Sequence, residues 1–517
     1  MENTRILWAD DEIDLLKPHI IFLERKGYKI DTATNGTDAL DMIQDTHYSL
    51  VFLDENMPGL SGIDTLVRIK KINRNIPVVM VTKSEEERIM EEAIGSQIAD
   101  YLIKPVNPSQ LLLSIKKITE QKKLVNEKTA TDYQSEFRQL AMEINMASTF
   151  GDWSAIYREL IRWDLSLDHV ENATFRELLD TQKKEANALF FKFITKNYQH
   201  WLKGSDDAPT LSPQLFAREL FPLLKEGRKL FAIVIDNLRY DQWKVIESDL
   251  ASQFVTVSEK LYSSILPTAT QYARNSMFAG LMPSEIKRRY PDRWFDDGDE
   301  ETKNQFEEYF LGENLKRYGL GNLKWNYAKI SQLAFARKFV DNVKSLADND
   351  LNVVVYNFVD MLSHSKTEME VIKELADNDK AYRSLTRTWF IHSPLYEIMR
   401  FCAERRIPVL ITTDHGTINV QNPIKIVGER ELTTNLRYKA GRNMSYNPKE
   451  VLEVKNPEDF HLPRTGVNTH YVFAGENDFF AYPNNYNHYV RYYRNTYQHG
   501  GISLEEMVIP VALLEPR

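Results

Sequence analysis

The chain has 517 residues with 74 acidic and 65 basic side chains, and the resulting net charge of -9 argues against a protein built chiefly to coat a nucleic-acid backbone. At roughly 150 residues per domain, this length predicts about three domains. Cys402 is the only cysteine. An internal disulfide and thiolate-rich metal centres are therefore excluded, and any metal must be held by His, Asp, Glu or hydroxyl groups. The first residues lack a basic segment followed by an apolar run, and no stretch reaches the roughly 20 apolar residues of a membrane span. A soluble, cytoplasmic chain without membrane insertion is expected.

In chain order, short apolar runs at Arg5–Ala9, Lys29–Thr32, Leu50–Leu53, Val78–Val81 and Asp100–Ile103 alternate with amphipathic helical patterns. That alternation predicts a parallel, doubly wound five-stranded sheet over residues 1–118. Over residues 119–207 the β-branched runs disappear, and Leu, Ile, Phe and Trp recur at helical spacing, predicting a small helical bundle. Turn-forming residues at 204–209 then mark a boundary. Buried-strand candidates return at Leu230–Ile235, Asn352–Phe358 and Val409–Thr412, so residues 208–517 read as a second, larger α/β domain. The fold class is α/β multidomain.

Ligands of open α/β sheets sit at the carboxyl ends of the strands. In the first domain Asp10 and Asp11 end the first run, Asp54 the third, Thr82 the fourth and Lys104 the fifth. Three carboxylates on one edge repel each other unless a hard cation is bound, and an all-oxygen site suits magnesium. A single Asp after a strand is usually a cap or turn residue; five agreeing positions, with Asn56-Met57-Pro58-Gly59 and Lys104-Pro105, carry more weight. The set closely resembles the receiver domain of bacterial two-component response regulators. The resemblance makes Asp54 the phosphoacceptor, Asp10, Asp11, Asp54 and the carbonyl of Asn56 the Mg2+ site, and Thr82 and Lys104 the groups that sense the phosphoryl oxygens. It puts Tyr101 at the aromatic switch position and implies a sensor histidine kinase and phosphorylation-promoted homodimerisation. Lys83 departs from the small residue common after the hydroxyl residue and would narrow access to the phosphoryl group.

In the larger domain, four segments carry acids and imidazoles at the ends of strand-like runs: Phe231–Asp241, Leu266–Asn275, Val353–His364 and Val409–Gly416, with His499-Gly500-Gly501 late in the chain. Asp360 and His364 are four apart, so one helical turn puts both on one face. Asp414 and His415 are adjacent, with diverging side chains. Carboxylate plus imidazole suits zinc better than manganese. The ordered set resembles the alkaline phosphatase superfamily, more narrowly the PglZ domain, and the receiver in front resembles the response-regulator family of the type IX secretion system. The resemblance assigns Asp360, His364 and His499 to one Zn2+ and Asp236, Asp414 and His415 to a second. Thr270 would be the nucleophile bound at that second zinc. Thr268 also follows the apolar run, but the motif favours Thr270. The implied reaction passes through a phosphothreonine that water resolves.

Arg274 and Asn275, just past Thr270, are either donors to non-bridging phosphoryl oxygens or ordinary helix-surface residues. One obvious cation beside the nucleophile leans towards a diester, which carries one charge rather than two. Tyr486, Tyr489, Tyr492 and Tyr493, interleaved with Arg491 and Arg494, either stack nucleobases or serve core and interface. The expected protein is a response regulator whose output domain is a zinc-dependent phosphodiesterase acting on nucleotides or oligonucleotides and controlling type IX secretion. The helical segment either transmits the signal or is a spacer. The alternative is a non-enzymatic adaptor with structural zinc that binds a sigma factor or other transcription regulator.

Overall fold

The computed structural model describes residues 4–73, 75–83, 98–168, 173–296, 303–376, 378–428, 433–464, 466 and 468–517. It divides into two compact units, Met1–Asp132 and Tyr133–Arg517.

In the first unit, β1 (Arg5–Ala9), β2 (Lys29–Ala33), β3 (Leu50–Leu53), β4 (Val78–Thr82) and β5 (Asp100–Ile103) form a parallel sheet in the order β2-β1-β3-β4-β5. Successive side chains of a strand point to opposite faces. Leu7, Ala9, Val51 and Leu53 accordingly enter one core, and Ile6, Trp8, Leu50 and Phe52 the other. The inner strands β1, β3 and β4 are largely buried and carry near-continuous apolar runs, whereas the edge strands β2 and β5 are partly exposed and mix in polar residues. The helices Gly36–Asp45 and Gly62–Ile72 start at Asn35 and Ser61, whose side chains accept from the backbone N–H of Asp38 and Asp64. At Gly62 a Cβ would lie 2.3 Å from the carbonyl oxygen of Asp54, so only glycine lets this helix approach the loop after β3. The helix Pro108–Met146 runs through residue 118, where the first domain boundary was expected.

The second unit opens with the helices Phe150–Leu167, begun by a Thr149/Asp152 capping box, and Ala173–Leu202. Their apolar faces, with Trp153, Trp163, Phe190 and Trp201, join one continuous core with the sheet that follows. That sheet is built from β6 (Leu230–Ile235), β7 (Phe254–Ser263), β8 (Trp325–Ile330), β9 (Leu351–Tyr356), β10 (Val409–Thr412) and the C-terminal Val508–Pro516, in the order β7-C-terminal strand-β10-β6-β9-β8. The pairs β10-β6, β6-β9 and β9-β8 are parallel. The C-terminal strand runs antiparallel between β10 and β7. Every residue of β6, β9 and β10 is buried, and those three strands present their carboxyl ends side by side. The strand Thr496–Gln498, paired with Ile418–Val420, delivers His499 to the same edge.

Candidate functional site

In the first unit, ligand atoms of Asp10, Asp11 and Asp54 lie within 4.8 Å of one another at the carboxyl edge of the sheet. Lys104 Nζ reaches Asp10 Oδ2 at 2.7 Å and Asp54 Oδ2 at 3.0 Å. Burial pushes the Asp54 carboxyl up, with the Lys104 ammonium opposing. Burial also pulls Lys104 down, but its hydrogen bonds to Asp10 and Asp54 leave it raised overall. Asp54 Oδ1 is buried without a hydrogen-bond partner, and such an orphaned acceptor among carboxylates fits a divalent cation or an incoming phosphoryl group. Lys83 is ion-paired with Glu12 at the surface. Tyr101 packs on the rim of one core cluster. The backbone of Thr82 ends β4; its side chain lies outside the described residues.

In the second unit, two clusters of possible metal ligands form. Asp236, at the end of β6, meets Asp414 and His415, which follow β10. Asp360 and His364, on the helix Phe358–Glu368 after β9, meet His499. Asp236 lies ahead of the helix Tyr240–Leu250, whose cap residue is Arg239. The rings of His415 and His499 stack at 4.3 Å, so the two clusters are neighbours. Nδ1 of His415 faces the carbonyl of Gly416 at 3.0 Å, and Nδ1 of His499 faces the carbonyl of Thr268 at 3.1 Å. A carbonyl can only accept, so each Nδ1 carries the proton and each Nε2 keeps its lone pair for the cluster. Burial, then the charge of His415, pushes His499 down to about 4, and burial lowers His415 too. Neutral imidazole is the form that binds metals. Burial and then repulsion from Asp236 push the carboxyls of Asp360 and Asp414 up. Asp414 Oδ2 is buried without a hydrogen-bond partner. Three mutually repelling carboxylates beside three imidazoles, with the Asp236, Asp414 and His415 cluster buried and His364 exposed, fit two divalent cations.

Thr270 is the first residue of the helix Thr270–Ala279, where free N–H groups and the helix dipole favour an anion. Its Oγ1 lies 3.0 Å from His415 Nε2 and 3.4 Å from Asp236 Oδ1. Thr268 is placed differently: its buried hydroxyl donates to the Gly501 carbonyl at 2.8 Å and accepts from the Gly500 N–H at 3.0 Å. It ties down the loop that carries His499.

Arg274 and Asn275 require a correction as phosphoryl donors. Arg274 is 1% exposed, with Nη1 2.7 Å from Asp236 Oδ2 and Nε donating to Glu307 Oε1 at 2.7 Å. Asn275 is equally buried and donates to the Lys303 carbonyl. Both follow Thr270 on a helix buried on all sides, so their side chains turn into the protein and leave the opening. Thr270, Asp360, His364 and His499 instead line a cavity of about 520 Å³ together with Lys303, Asn304, Tyr438, Tyr492 and Tyr493.

Two contributors escaped sequence reasoning. Asn237 adopts φ 64° directly after Asp236 and donates through Nδ2 to Asp360 Oδ1 at 3.3 Å, bridging the clusters. Its signal was an Asn straight after a strand-ending Asp, a residue tolerant of the left-handed region. Asn304 donates to the Thr270 carbonyl at 3.0 Å from a distant loop, for which no local signal exists.

Comparison with known proteins gives three matches along the chain. Residues 6–116 match the response regulator receiver domain, residues 123–202 the PorX response regulator linker domain, and residues 215–514 the BREX system PglZ alkaline phosphatase-like domain. Among curated proteins, the chain is 38% identical over 117 residues to the transcriptional regulatory protein CpxR homolog of Haemophilus influenzae, covering 22% of this chain and 50% of that protein. It is 33% identical over 114 residues to the transcriptional regulatory protein ResD of Bacillus subtilis, covering 22% and 47%. The chain thus spans about half the length of these curated relatives. A receiver domain protein from Methanospirillum hungatei is 29% identical, covering 24% of this chain and 98% of that one, with a TM-score of 0.23.

Proposed function

The chain belongs to the PglZ alkaline phosphatase-like family, and on that premise we propose a phosphorylation-controlled, zinc-dependent phosphodiesterase acting on nucleotides or oligonucleotides. The observation that carries this reading is the convergence of two three-residue ligand clusters beside Thr270, at the rim of one open cavity. Zinc at the two clusters would supply Lewis acidity towards the threonine hydroxyl and the phosphoryl oxygens. Thr270 attacks phosphorus in line: its Oγ1–P bond forms as the bond to the leaving oxygen breaks, and the hydroxyl proton ends on that departing oxygen, giving phosphothreonine and a free alcohol. Water then cleaves that ester, restoring the hydroxyl and releasing the phosphoryl product. The Thr270 helix N-terminus holds the substrate's negative charge. Lys303 supplies a cation at the cavity wall, and Tyr492 and Tyr493 offer faces for a base.

In the receiver, a sensor kinase phosphorylates Asp54 with Mg2+ held by Asp10, Asp11, Asp54 and the Asn56 carbonyl. Thr82 and Lys104 bind the phosphoryl oxygens, Tyr101 repacks, and the chain dimerises to control type IX secretion. The domains are taken as 1–118, 119–207 and 208–517.

The test measures zinc content and compares hydrolysis of a simple phosphodiester and a phosphomonoester by wild type and Thr270→Ala. Zinc-replete protein without Thr270-dependent hydrolysis of either would sink the enzyme reading and favour an adaptor that binds a sigma factor. For the receiver, an Asp54→Ala variant that still dimerises as wild type does with a phosphoryl donor refutes phosphorylation-driven assembly.

A further inference from the structure

The helix Ala173–Leu202 presents Lys183 and Asn187 one turn apart on the same face. Each is tied, through other residues, to segments that carry the ligand clusters. Lys183 is 14% exposed, and its Nζ donates to Asp164 Oδ2 on the neighbouring helix Phe150–Leu167 and to Asp379 Oδ2, both at 3.2 Å. Asp379 Oδ1 then accepts from Arg239 Nη1 and from the Tyr497 hydroxyl, each at 2.8 Å. Arg239 stands three residues after Asp236, and Tyr497 two residues before His499. The Tyr497 ring stacks on Tyr382 at 3.9 Å, so its freedom is small.

Asn187 makes the second connection. Its Oδ1 accepts from the Leu504 N–H at 2.8 Å and its Nδ2 donates to Glu505 Oε2 at 3.0 Å. The Glu505 backbone presses on the residue after His415: a Cβ on Gly416 would lie 2.0 Å from the Glu505 carbonyl oxygen.

We propose that Lys183 and Asn187 are positioning residues through which the linker helix holds both ligand clusters in register: Lys183, by way of Asp379, aligns the segments bearing Asp236 and His499, and Asn187, by way of Glu505, aligns His415. A slide or rotation of this one helix then shifts ligands of both clusters together. Packed helices repack in discrete steps rather than by continuous deformation, which makes the linker a switch for the site. The inference rests on the reading of the clusters as zinc sites.

The experiment uses the full chain and reads zinc affinity by competition with a chromogenic chelator, alongside the unfolding midpoint of the metal-free protein and hydrolysis of bis(4-nitrophenyl) phosphate. Lys183→Met is expected to weaken zinc binding by about tenfold, the scale of outer contacts that orient metal ligands, and Lys183→Arg to restore it. Tyr497→Phe removes only the hydroxyl that donates to Asp379 and is expected to weaken zinc binding while lowering the metal-free midpoint by no more than about 3 °C; it decides the matter should Lys183→Met not fold. Wild-type zinc affinity in the folded variants, or an equal loss in Lys183→Arg and Lys183→Met, overturns the proposal. A wild type that binds zinc yet hydrolyses no phosphodiester sinks the enzymatic reading alone, because the affinity comparison does not depend on turnover.

Discussion

Thr268 and Thr270, at the start of the buried helix Thr270–Ala279, give the sharpest prediction, because replacing each by valine keeps its shape and exchanges only the hydroxyl for a methyl. Thr268 is fully buried. Thr268→Val strands the Gly501 carbonyl and the Gly500 N–H, which its hydroxyl satisfies at 2.8 Å and 3.0 Å. Each unsatisfied buried group costs about 1–3 kcal/mol, and partial relaxation makes roughly 2–4 kcal/mol the expected total. The unit from Tyr133 to Arg517 contains 517 − 133 + 1 = 385 residues. At about 2.1 cal/mol/K per residue its unfolding entropy is roughly 0.8 kcal/mol/K, so the midpoint should fall by about 3–5 °C. Thr270→Val removes a partly exposed hydroxyl from the cavity wall and should leave the midpoint within about 1 °C, while abolishing hydrolysis of a simple phosphodiester. Differential scanning fluorimetry and a chromogenic assay per folded molecule separate the effects. A Thr270→Val variant that retains hydrolysis while a folded Thr268→Val loses it would reverse the assignment and refute the reasoning.

Arg274→Met leaves Asp236 and Glu307, both about 1% exposed, without their shared guanidinium; breaking such a buried pair costs about 3–5 kcal/mol, and an unchanged midpoint would contradict it. Lys439 donates to the Thr433 carbonyl, and burial pulls its ammonium down to about 7. Between that value and the ordinary lysine range the unfolded chain binds the proton and the native one does not, so wild-type stability relative to Lys439→Met should rise as pH climbs from 7 towards 10. Denaturant midpoints for the two proteins that keep a constant difference across that range would refute the shift. Cys402 is fully buried and its thiol is pushed up by burial, so a thiol-reactive chromophore should label the native protein only after unfolding; rapid native labelling would show the core to be open.

Much of this protein is local and therefore legible in the chain. The five runs of the receiver sheet fall on β1 to β5 within a residue, and for the inner strands β1, β3 and β4 the reason is that a strand buried on both faces must be near-continuously apolar. Most candidate ligand residues follow the ends of such runs, or sit four apart on one helix, and these relations need no knowledge of tertiary partners; His499, after the short strand Thr496–Gln498, is the exception. The strands β7 and β8 were not anticipated because their burial is mixed and their periodicity weak; the C-terminal strand was missed although its first five residues are buried.

What only the tertiary structure decided was the partner of each polar group. Thr268 and Thr270 have the same side chain two positions apart, and their roles separate because the loop turns one hydroxyl onto the Gly500 and Gly501 backbone and the other towards His415. Arg274 looks like a surface cation in the chain, yet it is buried between two carboxylates, both more than 30 positions away. The linker helix shares its core with the output sheet, and Lys183 meets Asp379 across 196 positions. Spacing along a chain fixes which face a residue shares with its near neighbours; which charge it meets depends on contacts between segments far apart, and those exist only once the cores have packed.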